Sequence, residues 1–484
     1  MVRAATGLRK DKEIVSENSG PKGYKRALTP IERLFSLHPF AIVTMVARIR
    51  GTVTESMVWD AVSKVRQRHP NLRVRIVEDE NGNPWLTSEG AKAIPIETVP
   101  RESDDGWIRV VQESSQIPFG FEPRPAIRFI LVQSPDVSEL LILCHHILCD
   151  GLSLAYLARD LMVHLGDPAR EVEPLPDPVP IDRDNFPEGV SANAMVRFMI
   201  NRMNKKWEAE KVVFDQEDYE NLVAAYWQHY QHQVLTAELS EAQTGALVER
   251  CQKEQTTVNS ALTAAFVGAQ TIVLGDRPFH SSTLVAASLR DRLPRPAGEV
   301  MGFYAAAVQP KYRYDGRRGF WDNARQFHRK VLPLYTDKNL FQEALAWCHL
   351  DPTILEAIIF KTLGGLVPEG SSRYQKISAF GTRDDTVLRI LKRDKMDSLD
   401  RILYGTTVTN LGRLDFPRTY GTLELDRLIM KPGGAFPLVN FNLVLGAATC
   451  AGKLSLLLEF VEDNVDVRTM KEIRGRALGF LLEE

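Results

Sequence analysis

The stretch LLILCHHILCDG, residues 140–151, decides how this chain reads. An apolar run, Leu140 to Cys144, leads into two adjacent histidines, and Asp150-Gly151 follows after Ile147, Leu148 and Cys149. Residues 140–144 are apolar at both parities, so the strand they form is covered on both faces and sits inside a sheet. Successive strand residues point to opposite faces, which separates His145 from His146 and sets Cys144 on the face of His146. A charged imidazolium would be costly in such a place. A neutral imidazole would not, because it donates from one nitrogen and accepts on the other.

Three readings of the stretch compete. A metal site built from Cys144, His145, His146, Cys149 and Asp150 fails on geometry: adjacent strand residues diverge, and no second cluster of ligands stands elsewhere in the sequence. No metal is expected. A second reading makes both rings satisfied core residues, which is the ordinary fate of a lone buried histidine. In the third, one ring faces a cavity at the strand end as a general base. Asp150 then braces the turn, and Gly151 lets backbone or ligand approach closely. The histidine pair together with Asp-Gly at the mouth of a helix favours the third.

Working outward, 484 residues exceed one compact core, and two domains are expected. The 44% apolar and 25% charged composition is that of a soluble globular protein. A net charge of −2 favours neither nucleic acid nor a membrane surface as partner. No apolar run reaches the length of a bilayer span, and residues 1–23 lack the apolar core of a signal peptide. They read as a flexible leader before a fold that begins near Tyr24. The five cysteines are odd in number and scattered, which excludes a disulfide framework and points to a reducing cytoplasm.

LTPIERLF (28–35) predicts a helix capped by Thr29, with Pro30 in its first turn and Glu32 closing a capping box. AIVTMVARIRG (41–51) reads as a strand, 54–68 as an amphipathic helix, and Asn81-Gly82 as a hairpin turn. A strand at 126–133 precedes the motif strand at 138–146, and a helix follows it to Gly166. Six prolines between 168 and 187 mark 167–189 as an extended linker. It separates an N-terminal lobe, 24–166, from a C-terminal lobe, 190–484. Helices are expected at 191–212, 240–254, 257–273, 319–335 and 340–349, with strands near 229–238 and 282–290. The last stretch is strand-rich and ends in a helix over 467–482. Together these elements give an α/β layered class.

His145-His146-Ile147-Leu148-Cys149-Asp150-Gly151 matches the HHxxxDG signature of the condensation-domain and chloramphenicol-acetyltransferase-like superfamily. LTPIERLF, RHPNLRVRI (68–76), TTVNSALTAAFVGA (256–269), ASLRDRLPRPAGEVMGFYAAAV (287–308) and VTNLGRLD (408–415) resemble further segments of that superfamily, so the resemblance runs from Thr29 to the last helix. The Asp-Phe-Gly-Trp-Gly segment of plant and fungal acyltransferases is missing, and NLGRLD occupies its place. In character the chain is similar to free-standing polyketide-associated and alcohol O-acyltransferases.

The resemblance implies two chloramphenicol-acetyltransferase-like lobes, each a mixed sheet covered by helices, with an active-site tunnel between them. It makes His146 the general base and gives His145 an orienting role. Asp150 becomes a structural partner of Arg290, and Gly151 lines the tunnel. Asn410 is a candidate for substrate or oxyanion contact, with a turn asparagine before Gly412 as the alternative. The implied reaction moves an acyl group from a coenzyme A or phosphopantetheine carrier-protein thioester to an acceptor hydroxyl, with no bound cofactor. An amide-forming condensation enzyme, a wax-ester or lipid acyltransferase, and an inactive carrier-protein-binding member are the alternatives. The implied partners are a small hydroxyl or amine acceptor and an acyl carrier protein, and a monomer is expected.

Overall fold

The motif strand, Val137–His145, is the fourth of six in the N-terminal sheet. The computed structural model describes residues 23–119, 125–275, 282–393, 403–433 and 440–482. The leader expected at 1–23 thus lies outside the described residues up to 22. Across the sheet the strands run Thr419–Tyr420, Leu423–Lys431, Ile42–Arg50, Val137–His145, Ile127–Gln133 and Ile96–Pro100. All neighbours are antiparallel except the last pair, which is parallel.

The strand is covered on both faces, as its double-parity apolar run requires. Leu140, Ile142 and Cys144 join a cluster with Val58 and Val62 of helix Glu55–Arg68 and Leu154, Leu157 and Leu161 of helix Gly151–Gly166. Leu141 and Leu143 pack on the other side with Trp107 and Val111 of helix Gly106–Ser115. A separate three-stranded sheet holds Lys25–Ala27, Pro84–Thr87 and Arg75–Glu78, the last two joined through the Asn81-Gly82 turn.

The C-terminal sheet is also mixed, in the order Ala305–Val308, Thr283–Ser288, Leu403–Leu414, Asn440–Cys450, Lys453–Val461, His232–Leu239. Helices Val258–Leu274 and Val467–Leu482 cover one of its faces through Phe266, Met470 and Ile473. The two mixed sheets with their helices are the two lobes expected from the sequence.

The lobe boundary at 190–484 needs one correction. Thr419–Tyr420 and Leu423–Lys431 leave the C-terminal lobe and extend the N-terminal sheet, pairing antiparallel with Ile42–Arg50. Ile42–Arg50 is buried over almost its whole length, and an open edge there would leave a row of backbone groups without partners. The linker at 167–189 is free of helix and strand, yet it is tied down: Leu175 N donates to Arg68 O at 2.8 Å, and Val179 and Ile181 are buried.

Buried ion pairs tie separate elements of the fold together. Arg33, on the Thr29-capped helix Pro30–Ser36, makes a two-point contact to Glu356 of helix Pro352–Leu363 at 2.6 and 3.0 Å. Burial raises the Glu356 pKa against the pull of Arg33. Lys431 likewise meets Glu459 at 2.6 Å, joining the strand Leu423–Lys431 to a strand of the other sheet. Removing one partner strands a buried charge. Glu356→Leu should therefore lower unfolding stability by about 3–5 kcal/mol. Adding Arg33→Met should restore much of that loss in a denaturant titration.

Candidate active site

The motif strand ends at His145, and the chain turns at once into helix Gly151–Gly166. Two backbone bonds fix the turn to its neighbours: His145 N donates to Ala126 O and His146 N to Ala41 O, each at 2.9 Å. His145 is 2% exposed, and Ile147 N donates to its Nδ1 at 3.3 Å. Burial first, then repulsion from His146, His38 and Arg128, lowers its pKa to about 3. This ring is a neutral acceptor that holds the turn.

His146 faces the other way, into a cavity of about 140 Å³ between the sheets. Its ring is held between Phe35, 4.8 Å away centroid to centroid, and Phe303, which meets it edge-on at 5.2 Å. His146 Nδ1 lies 3.0 Å from the Cys149 carbonyl. A carbonyl only accepts, so Nδ1 carries the proton and the lone pair of the neutral ring sits on Nε2. Burial lowers the His146 pKa, while the Cys149 carbonyl, Asp150 and the Pro432 carbonyl act in the opposite sense. A ring that is neutral at physiological pH, with a fixed tautomer and access to a cavity, is equipped as a general base.

Asp150 caps the helix and does not touch the histidine. Its Oδ1 accepts from Ser153 N at 2.7 Å and from Arg290 Nη2 at 2.7 Å, and its Oδ2 accepts from Tyr304 N at 3.1 Å. Arg290 is 2% exposed and also donates to Ser153 Oγ, Gly298 O and Val300 O. The structure thus brings together the two charged residues that the sequence separates by 140 positions, at the seam between the lobes. Gly151 lines the cavity, and a Cβ there would come within 2.6 Å of Met430 Sδ and 2.8 Å of Leu411 Cδ2.

Asn410 is placed elsewhere. Thr407 and Thr409 of strand Leu403–Leu414 line the cavity, and Asn410, of opposite parity, does not. Its Oδ1 accepts from Gly412 N at 2.8 Å, beside a bulge where Gly412 adopts φ +74°. This is the turn role weighed as the alternative. Burial and the neighbouring Cys144 raise the Cys149 pKa well above that of a free thiol, so a thiolate nucleophile is disfavoured there.

Three supporting groups escape the sequence reading. Ser153 completes the capping box with Asp150; the spacing Asp-x-x-Ser before an apolar helix was the available signal. Asn71 Nδ2 donates to Leu148 O and Met301 O, tying the motif turn to the segment that carries Phe303. Asp160 accepts from Arg68 at 2.7 Å and His69 at 2.9 Å, and Arg159 bridges it to Glu299. Burial alone would raise the Asp160 pKa, but His69 and Arg159 hold it at about 2. Among the described residues no group of histidine, cysteine, aspartate or glutamate is placed to hold a metal ion. No single helix among them is long and apolar enough to cross a membrane.

Residues 31–178 match the family model described as Condensation domain. The chain is 28% identical over 134 residues to the nonribosomal peptide synthetase agiA of Aspergillus flavus, covering 26% of this chain and 2% of that protein. It is 29% identical over 168 residues to the phosphinothricin tripeptide synthetase PhsC of Streptomyces viridochromogenes, covering 32% and 15%. It therefore spans a small part of these curated relatives. Over 95% of its length it superposes on the trichothecene 15-O-acetyltransferase TRI3 of Fusarium sporotrichioides, with TM-score 0.60, 12% identity and 95% of that chain covered. Polyketide synthase associated protein 5 of Mycobacterium tuberculosis superposes with TM-score 0.55 and 15% identity, over 95% of this chain and 98% of that one. The resemblance drawn from the sequence is borne out: the fold is that of condensation domains and chloramphenicol-acetyltransferase-like acyltransferases.

Asp150→Ala should leave Arg290 buried without its counter-charge and lower stability by about 3–5 kcal/mol. Denaturant unfolding of Asp150→Ala, Arg290→Met and the double variant should show a strong coupling between the two sites. His146 must be unprotonated to act as a base, and its pKa is lowered. The acid limb of the activity–pH profile should therefore fall below the ordinary histidine value of about 6.5, leaving the rate flat across neutrality.

Proposed function

We propose that the chain is an acyltransferase that moves an acyl group from a thioester, on coenzyme A or on a carrier protein, to an acceptor hydroxyl. The observation that carries the proposal is the ring of His146: neutral, tautomer-fixed by the Cys149 carbonyl, and open to an apolar cavity between two lobes. His146 Nε2 takes the proton of the acceptor hydroxyl as its oxygen attacks the thioester carbonyl carbon. The tetrahedral intermediate then collapses, the carbon–sulfur bond breaks, and the imidazolium returns the proton to the departing thiolate. An ester and a free thiol result, and the ring ends as it began. Desolvation keeps the ring unprotonated before reaction, while the carbonyls of Cys149 and Pro432 and the charge of Asp150 stabilise the imidazolium that forms.

Asp150, Arg290, Ser153 and Asn71 position this ring by fixing the turn; none of them touches the reacting atoms in this scheme. Phe35 and Phe303 restrict the imidazole to one orientation. Amide formation is the second reading, favoured by the peptide synthetases among the sequence relatives. It uses the same base with an amine in place of the hydroxyl.

The test is product analysis of the purified chain with a panel of acyl-coenzyme A donors and carrier-bound donors, in the presence of alcohols and amines. An ester product that falls by about 10²–10⁴ in the folded His146→Ala variant is the expected outcome. An amide in its place would establish the second reading. Equal product from the variant, or no transfer from either class of donor, would overturn the proposal.

A further inference from the structure

Helix Ala194–Glu208 opens with an exposed apolar turn. Met195 is 71% exposed, Phe198 67%, Met199 55% and Val196 41%. Exposed apolar side chains scattered singly are ordinary, but four from one turn make a patch. The helix is not loose. Ile200, Met203 and Trp207 turn inward, Trp207 Nε1 donates to Thr353 Oγ1 at 2.8 Å, and Asn204 Nδ2 donates to His349 O at 2.9 Å.

Met195, Phe198 and Met199 share the outward face with Arg202, Lys205 and Lys206, which follow at helical spacing. All six are exposed. The apolar group comes first, and the basic group lies about 10 Å further along the axis at 1.5 Å per residue. No acidic residue occurs from 189 to 207, so a chain of net charge −2 gathers Arg197, Arg202, Lys205 and Lys206 here without an acid among them. Exposed arginines on other helices have a carboxylate one turn away: Arg109 pairs with Glu113 and Arg476 with Glu472. The four cations of this helix make no side-chain hydrogen bond or ion pair among the described residues.

We propose that the N-terminal half of this helix docks on an anionic lipid surface. Phenylalanine and the flexible methionines enter a fluid acyl boundary without needing a fitted groove. The basic group behind them then stands level with the lipid phosphates, whose charge it complements. Asn193 Oδ1 accepts from Met195 N at 2.8 Å and from Val196 N at 3.1 Å, so the helix end enters with these two amides satisfied. A second copy of the chain fits less well, because a two-fold contact sets the basic group against itself or against the apolar group. Residues 1–22, outside the described residues, are themselves net basic by sequence and offer no countercharge.

The experiment is co-sedimentation of the full chain with vesicles of phosphatidylcholine, alone or with phosphatidylglycerol as roughly one lipid in three. The chain is expected to partition about tenfold or more strongly onto the mixed vesicles, and to lose that preference at about 0.5 M salt. The triple variant Met195→Ser, Phe198→Ser, Met199→Ser should weaken binding about tenfold at an unchanged unfolding midpoint. The triple variant Arg202→Gln, Lys205→Gln, Lys206→Gln should bring the mixed vesicles down to the level of phosphatidylcholine alone. The inference is overturned if wild type does not sediment with mixed vesicles, if it prefers neither composition, or if either variant binds as wild type does. A lowered midpoint in the serine variant would also overturn it, because side chains covered by the fold would then have been lost. Self-association, or capture of an acyl carrier protein, without vesicle binding would assign the patch to a protein partner instead. Vesicle binding needs no turnover, so it stands or falls separately from the proposed reaction.

Discussion

The contact between Asp150 and Arg290 is the constraint on which the site depends. A carboxylate and a guanidinium, both nearly inaccessible to water, meet at 2.7 Å between residues far apart in the chain. Their desolvation is offset by further polar groups oriented toward them: Ser153, the Tyr304 amide, and the Gly298 and Val300 carbonyls. A planar guanidinium reaches these acceptors at once, which a lysine ammonium could not. The pair closes the N-terminus of the helix after the motif onto the segment carrying Phe303. The turn with His146 is thereby fixed relative to both lobes.

His146 illustrates how burial serves chemistry here. The two histidines of the motif are adjacent, yet the end of the strand sends them into different surroundings. His145 goes into the core and is held neutral. His146 goes to the cavity, between two phenylalanines drawn from separate parts of the chain. Both are depressed by desolvation, but only His146 borders the cavity.

Much of this was legible in the sequence where the signal is local. Thr29, Pro30 and Glu32 form the capping box that their spacing predicts, and the 54–68 stripe is a helix buried through Val58, Val62 and Val65. Helix Pro352–Leu363 was missed because it is buried on nearly every side and shows no amphipathic stripe. Helix Gly106–Ser115 begins at a glycine with no side-chain cap to announce it. Asn410 was left between two roles for a related reason: a strand motif gives parity but not which parity faces the cavity.

By itself, the sequence determined the two-lobed α/β class, the motif strand, the separation of the two histidines and the residue types at the site. These follow from alternation, capping and composition, which act over a few residues. Only the tertiary structure decided which strands share a sheet, so that Leu423–Lys431 joins the N-terminal lobe. It alone paired Arg33 with Glu356 and set Asn71 across the lobes. Those outcomes depend on contacts between segments hundreds of residues apart, and on the low polarity of the space they enclose. Neither is written in any local stretch of the chain.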